Sequence, residues 1–151
     1  MHRPRRLMLA LALLAIASAC DEKLSTLAGP TPDLEPTFSS IQANIFELTD
    51  SAGRNSCISC HTNVGRTPSG GLNLLHDVAY DQLVNVVAGQ VPTLKYVTPS
   101  NPEASYILQK IDTSGKFAIV GTRMPRNGPP YMTDGQILIL RRWIELGAPR
   151  N

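Results

Sequence analysis

Apolar residues recur at the spacing of an α-helix in four segments of the chain. Residues 38–49 carry apolar side chains at positions 38, 41, 45 and 48, with Thr37 or Ser39 as the N-cap. Residues 77–88 form a second stripe that ends at Gly89, although its valines leave a strand as an alternative. Residues 103–112 follow the turn at positions 99–102 and end before Gly115. The pattern thus predicts three helices before the final segment.

The fourth helix has the clearest boundaries. Thr133 and Gln136 have the spacing of a capping box, an apolar stripe follows, and Gly147 and Pro149 end it. The chain shows no alternation of strand and helix and no internal repeat. We therefore expect an all-α fold that is rich in loops, folded from Thr37 to the end of the chain.

The first 19 residues have the pattern of a secretory signal peptide. A basic start at positions 2–6 precedes ten apolar residues at positions 7–16 and the small residues Ala17, Ser18 and Ala19. At about 1.5 Å per residue, ten residues span only about half of the hydrocarbon core of a membrane. We therefore predict export rather than a transmembrane anchor.

Cys20 stands directly after the predicted cleavage site. A cysteine at this position resembles the lipid acceptor of bacterial lipoproteins, although Ala17 stands where that family usually has Leu. Residues 20–36 are polar and interrupted by prolines, which is typical of a flexible tether. We expect a lipid anchor at Cys20 on the periplasmic side of a bacterial membrane, or a secreted periplasmic protein if Cys20 is unmodified.

Composition limits the remaining possibilities. The chain has 151 residues, of which 42% are hydrophobic, and this is enough for one compact domain. Beyond residue 19 it keeps 11 basic and 12 acidic side chains, because Arg3, Arg5 and Arg6 lie in the signal. The basic residues are scattered, so nothing in the charge pattern indicates nucleic-acid binding.

The segment Cys57-Ile58-Ser59-Cys60-His61 carries the strongest chemical signal. Two cysteines three positions apart can each add to a vinyl group of one haem, and the adjacent histidine then lies under the iron. Because haem attachment of this kind takes place outside the cytoplasm, the signal peptide supports it. The pattern predicts one covalent haem c, bound by Cys57 and Cys60, with His61 as the proximal iron ligand.

The same residues allow three other interpretations. A zinc site would use Cys57, Cys60, His61 and His76, although adjacent ligands at 60 and 61 are awkward neighbours in a tetrahedron. A thioredoxin-like redox pair would need a β-α-β setting that the pattern does not show. A structural disulfide would leave His61 unexplained.

The haem interpretation requires a ligand for the distal side of the iron. Met124 is favoured because it lies in a proline-restricted loop at positions 121–130. Met132 lies at the start of the last helix, where packing is the commoner use of Met. His76 is only 15 positions from His61, so a short loop would have to pass around the haem edge. A packing role for Met124 also remains open.

Residues 40–149 resemble the small bacterial monohaem c-type cytochromes, particularly the cytochrome domains of planctomycete type. The matching stretches, in chain order, are Ile45-Phe46, the Cys57–His61 motif, Gly71-Leu72-Asn73-Leu74, Val97-x-Pro99, Pro102-Glu103-Ala104-Ser105-Tyr106, Met124-Pro125 and Arg142-Trp143-Ile144-Glu145-x-Gly147-Ala148. The departures are Thr62, where Gly is common, and Ser100-Asn101 in place of a Gly-Asp turn. The resemblance implies that the first and last helices cross beside the haem, with His61 and Met124 as axial ligands.

This resemblance implies one-electron transfer between redox protein partners, by a tethered electron carrier rather than an enzyme. With both axial positions filled, no small-molecule substrate is expected. A haem enzyme or gas sensor, in which Met124 is labile or structural, is one alternative. A haem-free zinc-binding or structural lipoprotein is the other.

Overall fold

The structure is a computed structural model that describes residues 34–49, 53–112 and 114–151. Its helices are α1 (Phe38–Ile41), α2 (Ala79–Leu83), α3 (Tyr106–Ile111) and α4 (Asp134–Glu145). A π-helical segment, Gln42–Glu47, continues α1 without a break. Two 3₁₀ turns cover Cys57–Ser59 and Ser69–Gly71. The strands are β1 (Val87–Ala88) and β2 (Val91–Lys95).

The prediction of an all-α fold is wrong. Strands β1 and β2 form an antiparallel sheet with Val87 opposite Lys95 and Ala88 opposite Val91. Single parallel bridges join Val84 to Val97 and Lys95 to Ser105. The described part of the chain is therefore a mixed α/β structure in which short helices pack around a small sheet.

The error lies mainly in residues 77–88. Helix α2 covers only Ala79–Leu83, and the chain becomes extended at Val84. Asn85 then adopts a positive φ of 62°, which no helix tolerates. The valines that follow are β-branched and restricted at χ1, so pairing with β2 suits them better than a helix does.

The predicted first helix is present, but it changes from α-helical to π-helical hydrogen bonding after Ile41. The Thr37 hydroxyl accepts a hydrogen bond from the Ser40 amide at 3.2 Å, which confirms Thr37 as the N-cap. After Ile41 the helix widens into the π-helical segment, which has Leu48 as its C-cap. This winding still buries the stripe of Phe38, Ile41 and Ile45.

The two later helices also follow the sequence pattern. Helix α3 starts at Tyr106 rather than at residue 103, because residues 102–105 form the turn that leads into it. The capping box of α4 is confirmed. The Gln136 amide donates to the Thr133 hydroxyl at 3.2 Å, and the Thr133 amide donates to Gln136 Oε1 at 3.0 Å.

One hydrophobic core joins the two ends of the domain. Phe38 of α1 lies with its ring centroid 5.6 Å from that of Trp143 in α4 and 5.1 Å from that of Tyr80. Trp143 is fully buried, and its Nε1 donates to the carbonyl oxygen of Pro149 at 2.9 Å. The expectation that the first and last helices pack together is thus confirmed.

The predicted signal peptide, Cys20 and the tether up to residue 33 lie outside the described residues. The first described residue, Leu34, is 7% exposed and joins the hydrophobic core. Within the described ranges, no helix is long and apolar enough to cross a membrane.

Candidate functional site

The segment Cys57–His61 is wound into a tight turn. The carbonyl oxygen of Cys57 accepts hydrogen bonds from the amides of Cys60 at 3.2 Å and of His61 at 2.9 Å. The hydroxyl of Ser59 donates to the carbonyl oxygen of Ser56 at 2.6 Å and fastens the start of the turn. Residues three and four apart lie on the same side of such a turn. Both cysteines and the histidine therefore lie within one hydrogen-bonded turn.

The segment after the motif folds back over this turn. The Ser69 amide donates to Cys60 O at 3.1 Å, and the Leu74 amide donates to His61 O at 2.9 Å. Gly70 and Gly71 have φ of 63° and 71°, a conformation that favours glycine, and they let the chain reverse within two residues. The reversal places the carbonyl oxygen of Leu72 beside the His61 ring.

His61 is held as a neutral imidazole with a defined orientation. Its Nδ1 lies 3.2 Å from the carbonyl oxygen of Leu72. Because a carbonyl only accepts, Nδ1 carries a proton, and in the neutral ring the free electron pair is then on Nε2. Burial lowers the pKa of His61, against the opposing effect of the carbonyls of Leu72 and Ser69. The ring therefore offers Nε2 as a metal ligand. Metal-binding histidines commonly donate the other ring N–H to a carbonyl or carboxylate, as Nδ1 of His61 does here.

Cys57 and Cys60 are both free thiols. Cys57 is half-buried against the core, and its Sγ lies 3.5 Å from the carbonyl oxygen of Ile45, whereas Cys60 is exposed. Burial raises the pKa of Cys57, although the neighbouring Arg54 guanidinium opposes the shift. A thioredoxin-like pair depends on a thiolate of lowered pKa, so this environment does not favour that interpretation.

The residues of the alternative zinc site are not brought together. His76 lies at the surface with its side chain 71% exposed, and its Nδ1 pairs with Glu47 Oε1 at 3.2 Å. Within residues 34–49, 53–112 and 114–151, no group of three or more His, Cys, Asp or Glu side chains is placed to hold a metal ion. The exposure of His76 and its contact with Glu47 also do not favour it as the distal haem ligand.

Met124 lies on the long segment between α3 and α4. It is half-buried and packs against the hydrophobic core. Its amide donates to the carbonyl oxygen of Lys110 at 2.7 Å, and Arg123 Nε donates to the carbonyl oxygen of Ile111 at 3.3 Å. The end of α3 therefore fixes the backbone on which Met124 stands. Met132, by contrast, is 6% exposed and belongs to the core itself, as a packing residue would.

The motif turn and the Met124 segment border the same core. Cys57, Ile58 and Met124 are all partly buried against it. Lys110, which is bonded to the segment of Met124, also lies close enough to His61 for its positive charge to add to the lowering of that pKa by burial.

Two polar groups near the site were missed by the sequence pattern. Lys110 is 8% exposed although it carries a charge, and Arg123 Nη2 is buried with no hydrogen-bond acceptor among the described residues. A lone lysine in a helical stripe and a lone arginine in a loop give no periodic signal. Adjacency of Arg123 to Met124 was the only clue in the sequence.

Comparison with known proteins finds no match to any family model, to any curated protein or to any solved structure.

Proposed function

We propose that the chain is a c-type cytochrome that transfers one electron at a time between protein partners. The observation that carries the proposal is the His61 ring, which a hydrogen bond to Leu72 O orients and whose pKa burial lowers, one residue after a cysteine pair on the same turn. An orienting bond of this kind suits a permanent metal ligand. An exposed histidine would have no need of it.

The thiols of Cys57 and Cys60 suit the attachment of haem. Each Sγ–H adds across one vinyl group, so that a carbon–sulfur bond forms and the hydrogen passes to the other vinyl carbon, with no oxidant consumed. The haem, when bound, supplies an iron that alternates between the ferrous and ferric states. The chain's task is to hold the iron's ligands still in both states and to exclude water from them.

The residues around the thiols fit that group. Burial of Cys57 against the core and of Leu72 and Leu74 beside the motif offers an apolar wall. The buried Nη2 of Arg123, without an acceptor among the described residues, suits an anionic haem propionate next to Met124. Met124 Sδ would be the second protein ligand of the iron in this proposal, and a thioether there would raise the reduction potential relative to a second imidazole.

The proposal extends to the chain's location and partners. On the basis of the predicted signal peptide and Cys20, the proposed location is the periplasmic side of a bacterial membrane, held by lipid. The tether then ends before Leu34 rather than at residue 36, because Leu34 packs into the core. The partners are redox proteins, which exchange electrons at the haem edge. With His61 and Met124 on the two sides of the iron, the protein is a carrier and not an enzyme.

Mass spectrometry of the mature protein tests the attachment. The protein is expressed in a bacterial host that matures c-type cytochromes, and the expected mass is polypeptide plus lipid plus one haem that survives acid-acetone extraction. Cys20→Ser is expected to remove the lipid and keep the haem. The double variant Cys57→Ser with Cys60→Ser is expected to do the reverse. A wild-type mass without the porphyrin contradicts the proposal and favours a haem-free lipoprotein.

Spectroscopy separates the carrier from a haem enzyme or gas sensor. A carrier with Met124 on the iron shows a methionine–iron charge-transfer band near the red edge of the visible spectrum in its oxidised form. Rapid CO binding by the ferrous wild-type protein, with no such band, contradicts the carrier and supports an open distal site.

A further inference from the structure

Lys110 is a buried lysine with an unusual pair of partners. It lies on α3 and is 8% exposed, and its Nζ donates to the carbonyl oxygens of Val120 at 2.9 Å and Thr122 at 2.6 Å. Both acceptors belong to the segment that leads into Met124. Among the described residues, Lys110 forms no ion pair with a carboxylate.

The backbone of Lys110 also attaches α3 to the segment of Met124. The carbonyl oxygen of Lys110 accepts the Met124 amide at 2.7 Å. The next carbonyl, that of Ile111, accepts Arg123 Nε at 3.3 Å. The last turn of α3 therefore makes four hydrogen bonds to residues 120–124, two of them from one ammonium group.

Burying an ammonium group to form these hydrogen bonds is energetically unfavourable. Desolvating a charge without a counter-ion is unfavourable, and the lowered pKa of Lys110 reflects that burial. Hydrogen bonds from a charged donor are about twice as strong as neutral ones, and a single Nζ has three hydrogens to serve several carbonyls. Lys110 therefore supplies two of the five hydrogen bonds that join α3 to residues 120–124 in the described structure; the fifth runs from the Val120 amide to the Tyr106 hydroxyl at 3.3 Å.

We infer that Lys110 is a positioning residue for Met124. The buried ammonium of Lys110 holds residues 120–122 so that the Met124 thioether stays in place on the distal side of the haem. This inference depends on the proposed function, because it assigns a task to Lys110 only if Met124 is a ligand. Lys110 itself does not touch the iron in this scheme.

A merely structural role predicts a different result from a positioning role. If Lys110 only stabilises the fold, its removal lowers the unfolding midpoint and leaves the ligand set of the folded protein unchanged. If Lys110 holds Met124, its removal raises the fraction of folded protein in which the methionine has left the iron. Loss of two charge-assisted hydrogen bonds is expected to shift that equilibrium by about tenfold or more.

The experiment compares Lys110→Met with the wild type as purified holoproteins. We expect the variant to weaken the methionine–iron band of the oxidised form, to lower the reduction potential and to speed CO binding by the ferrous form by about tenfold. Lys110→Arg, which keeps a charged donor, is expected to restore all three readouts in large part. If Lys110→Met yields no folded holoprotein, Lys110→Gln, a neutral donor, is measured in its place with the same expectation.

Lys95→Met is the matched control. Lys95 is also a lysine with a hydrogen bond, from Nζ to Asn85 Oδ1 at 2.8 Å, but that bond is at the surface of β2. We expect this variant to keep the wild-type band, potential and CO rate. A Lys110 variant that folds, carries haem and matches the wild type in all three readouts overturns the inference.

Failure of the proposed function would give a different experimental result. In that case the wild-type protein itself lacks covalent haem or lacks the methionine–iron band. A wild type with haem and band, beside a Lys110 variant without change, rejects the positioning role alone.

Discussion

The guanidinium of Arg123 lies over the ring of Tyr131, with its central carbon 3.9 Å from the ring centroid. Arg123 directly precedes Met124, and Tyr131 lies just before α4, so the contact closes the intervening proline-rich segment on itself. A cation–π contact of this kind stabilises a loop that contains few backbone hydrogen bonds. The Tyr131 ring also limits what residue 128 can be.

Gly128 is expected to be intolerant of a side chain. A Cβ at this position would lie 2.5 Å from Cε1 of Tyr131, which is closer than packed atoms allow. Gly128→Ala should therefore displace the Tyr131 ring and reduce the free energy of unfolding by about 1–3 kcal/mol. Chemical denaturation measures the loss.

Gly89→Ala is the control for this substitution. Its Cβ would lie 3.6 Å from Gly70 O and from the Tyr96 hydroxyl oxygen, which is ordinary contact. The Gly89 variant should be clearly more stable than the Gly128 variant. Equal stabilities would show that the ring does not constrain residue 128.

Met124→Ala tests the distal ligand. The haem should stay attached through Cys57 and Cys60, while the sixth position of the iron opens, the reduction potential falls and CO binds faster. Redox titration and CO binding measure these changes. Met132→Ala should do the opposite: because Met132 is 6% exposed in the core, it should cost about 2–5 kcal/mol of stability and leave the potential unchanged. An unchanged potential in Met124→Ala would place the ligand elsewhere.

His61→Ala tests the proximal ligand. Without an imidazole next to Cys60, the iron loses its strong ligand, and the yield of mature haem protein should fall sharply. His76→Ala is the matched control, because that side chain is 71% exposed and pairs with Glu47 at the surface. A low-spin spectrum like that of the wild type in His61→Ala would exclude His61 from the iron.

Thr133→Ala tests the start of α4. It removes the hydroxyl that accepts the Gln136 amide, so the free energy of unfolding should fall by about 1 kcal/mol. Thr67→Ala, at an exposed position in the loop after the motif, should change it much less. Urea denaturation of both variants gives the comparison, and equal losses would mean that the cap contributes nothing.

Glu103 gives a pH-dependent contribution to stability. Hydrogen bonds from Lys116 and Arg141 lower the pKa of Glu103 from its usual value of 4.5. Because the pKa is lower in the folded state, the stabilisation is present above the unfolded pKa and is lost as the pH falls through the folded pKa. The difference in unfolding free energy between wild type and Glu103→Gln should thus be constant above about pH 5 and shrink below it.

The size of the Glu103 effect should be small, since the carboxylate is exposed. Salt at ~1 M should reduce it further by screening. A Glu103 difference that grows as the pH falls would contradict the assignment.

Local patterns in the sequence predicted the strongest helical features. The capping box at Thr133 and Gln136 and the N-cap at Thr37 form in the structure because both depend on groups three residues apart. The stripe at 77–88 misled the prediction of an all-α fold. Its valines satisfy a helical period and a strand propensity equally, and only pairing with β2 decided between them.

The sequence by itself determined the chemistry available to this protein: two cysteines and a histidine at a spacing that suits haem, placed behind a predicted export signal. Spacing of three and four residues is enough to put those groups on one turn, so no long-range contact was needed to find them. The tertiary structure alone decided that Leu72 O orients the His61 ring and that a buried Lys110 holds the segment of Met124. Those contacts join residues 10 or more positions apart, and their energy comes from burial and directed hydrogen bonds that no local pattern encodes.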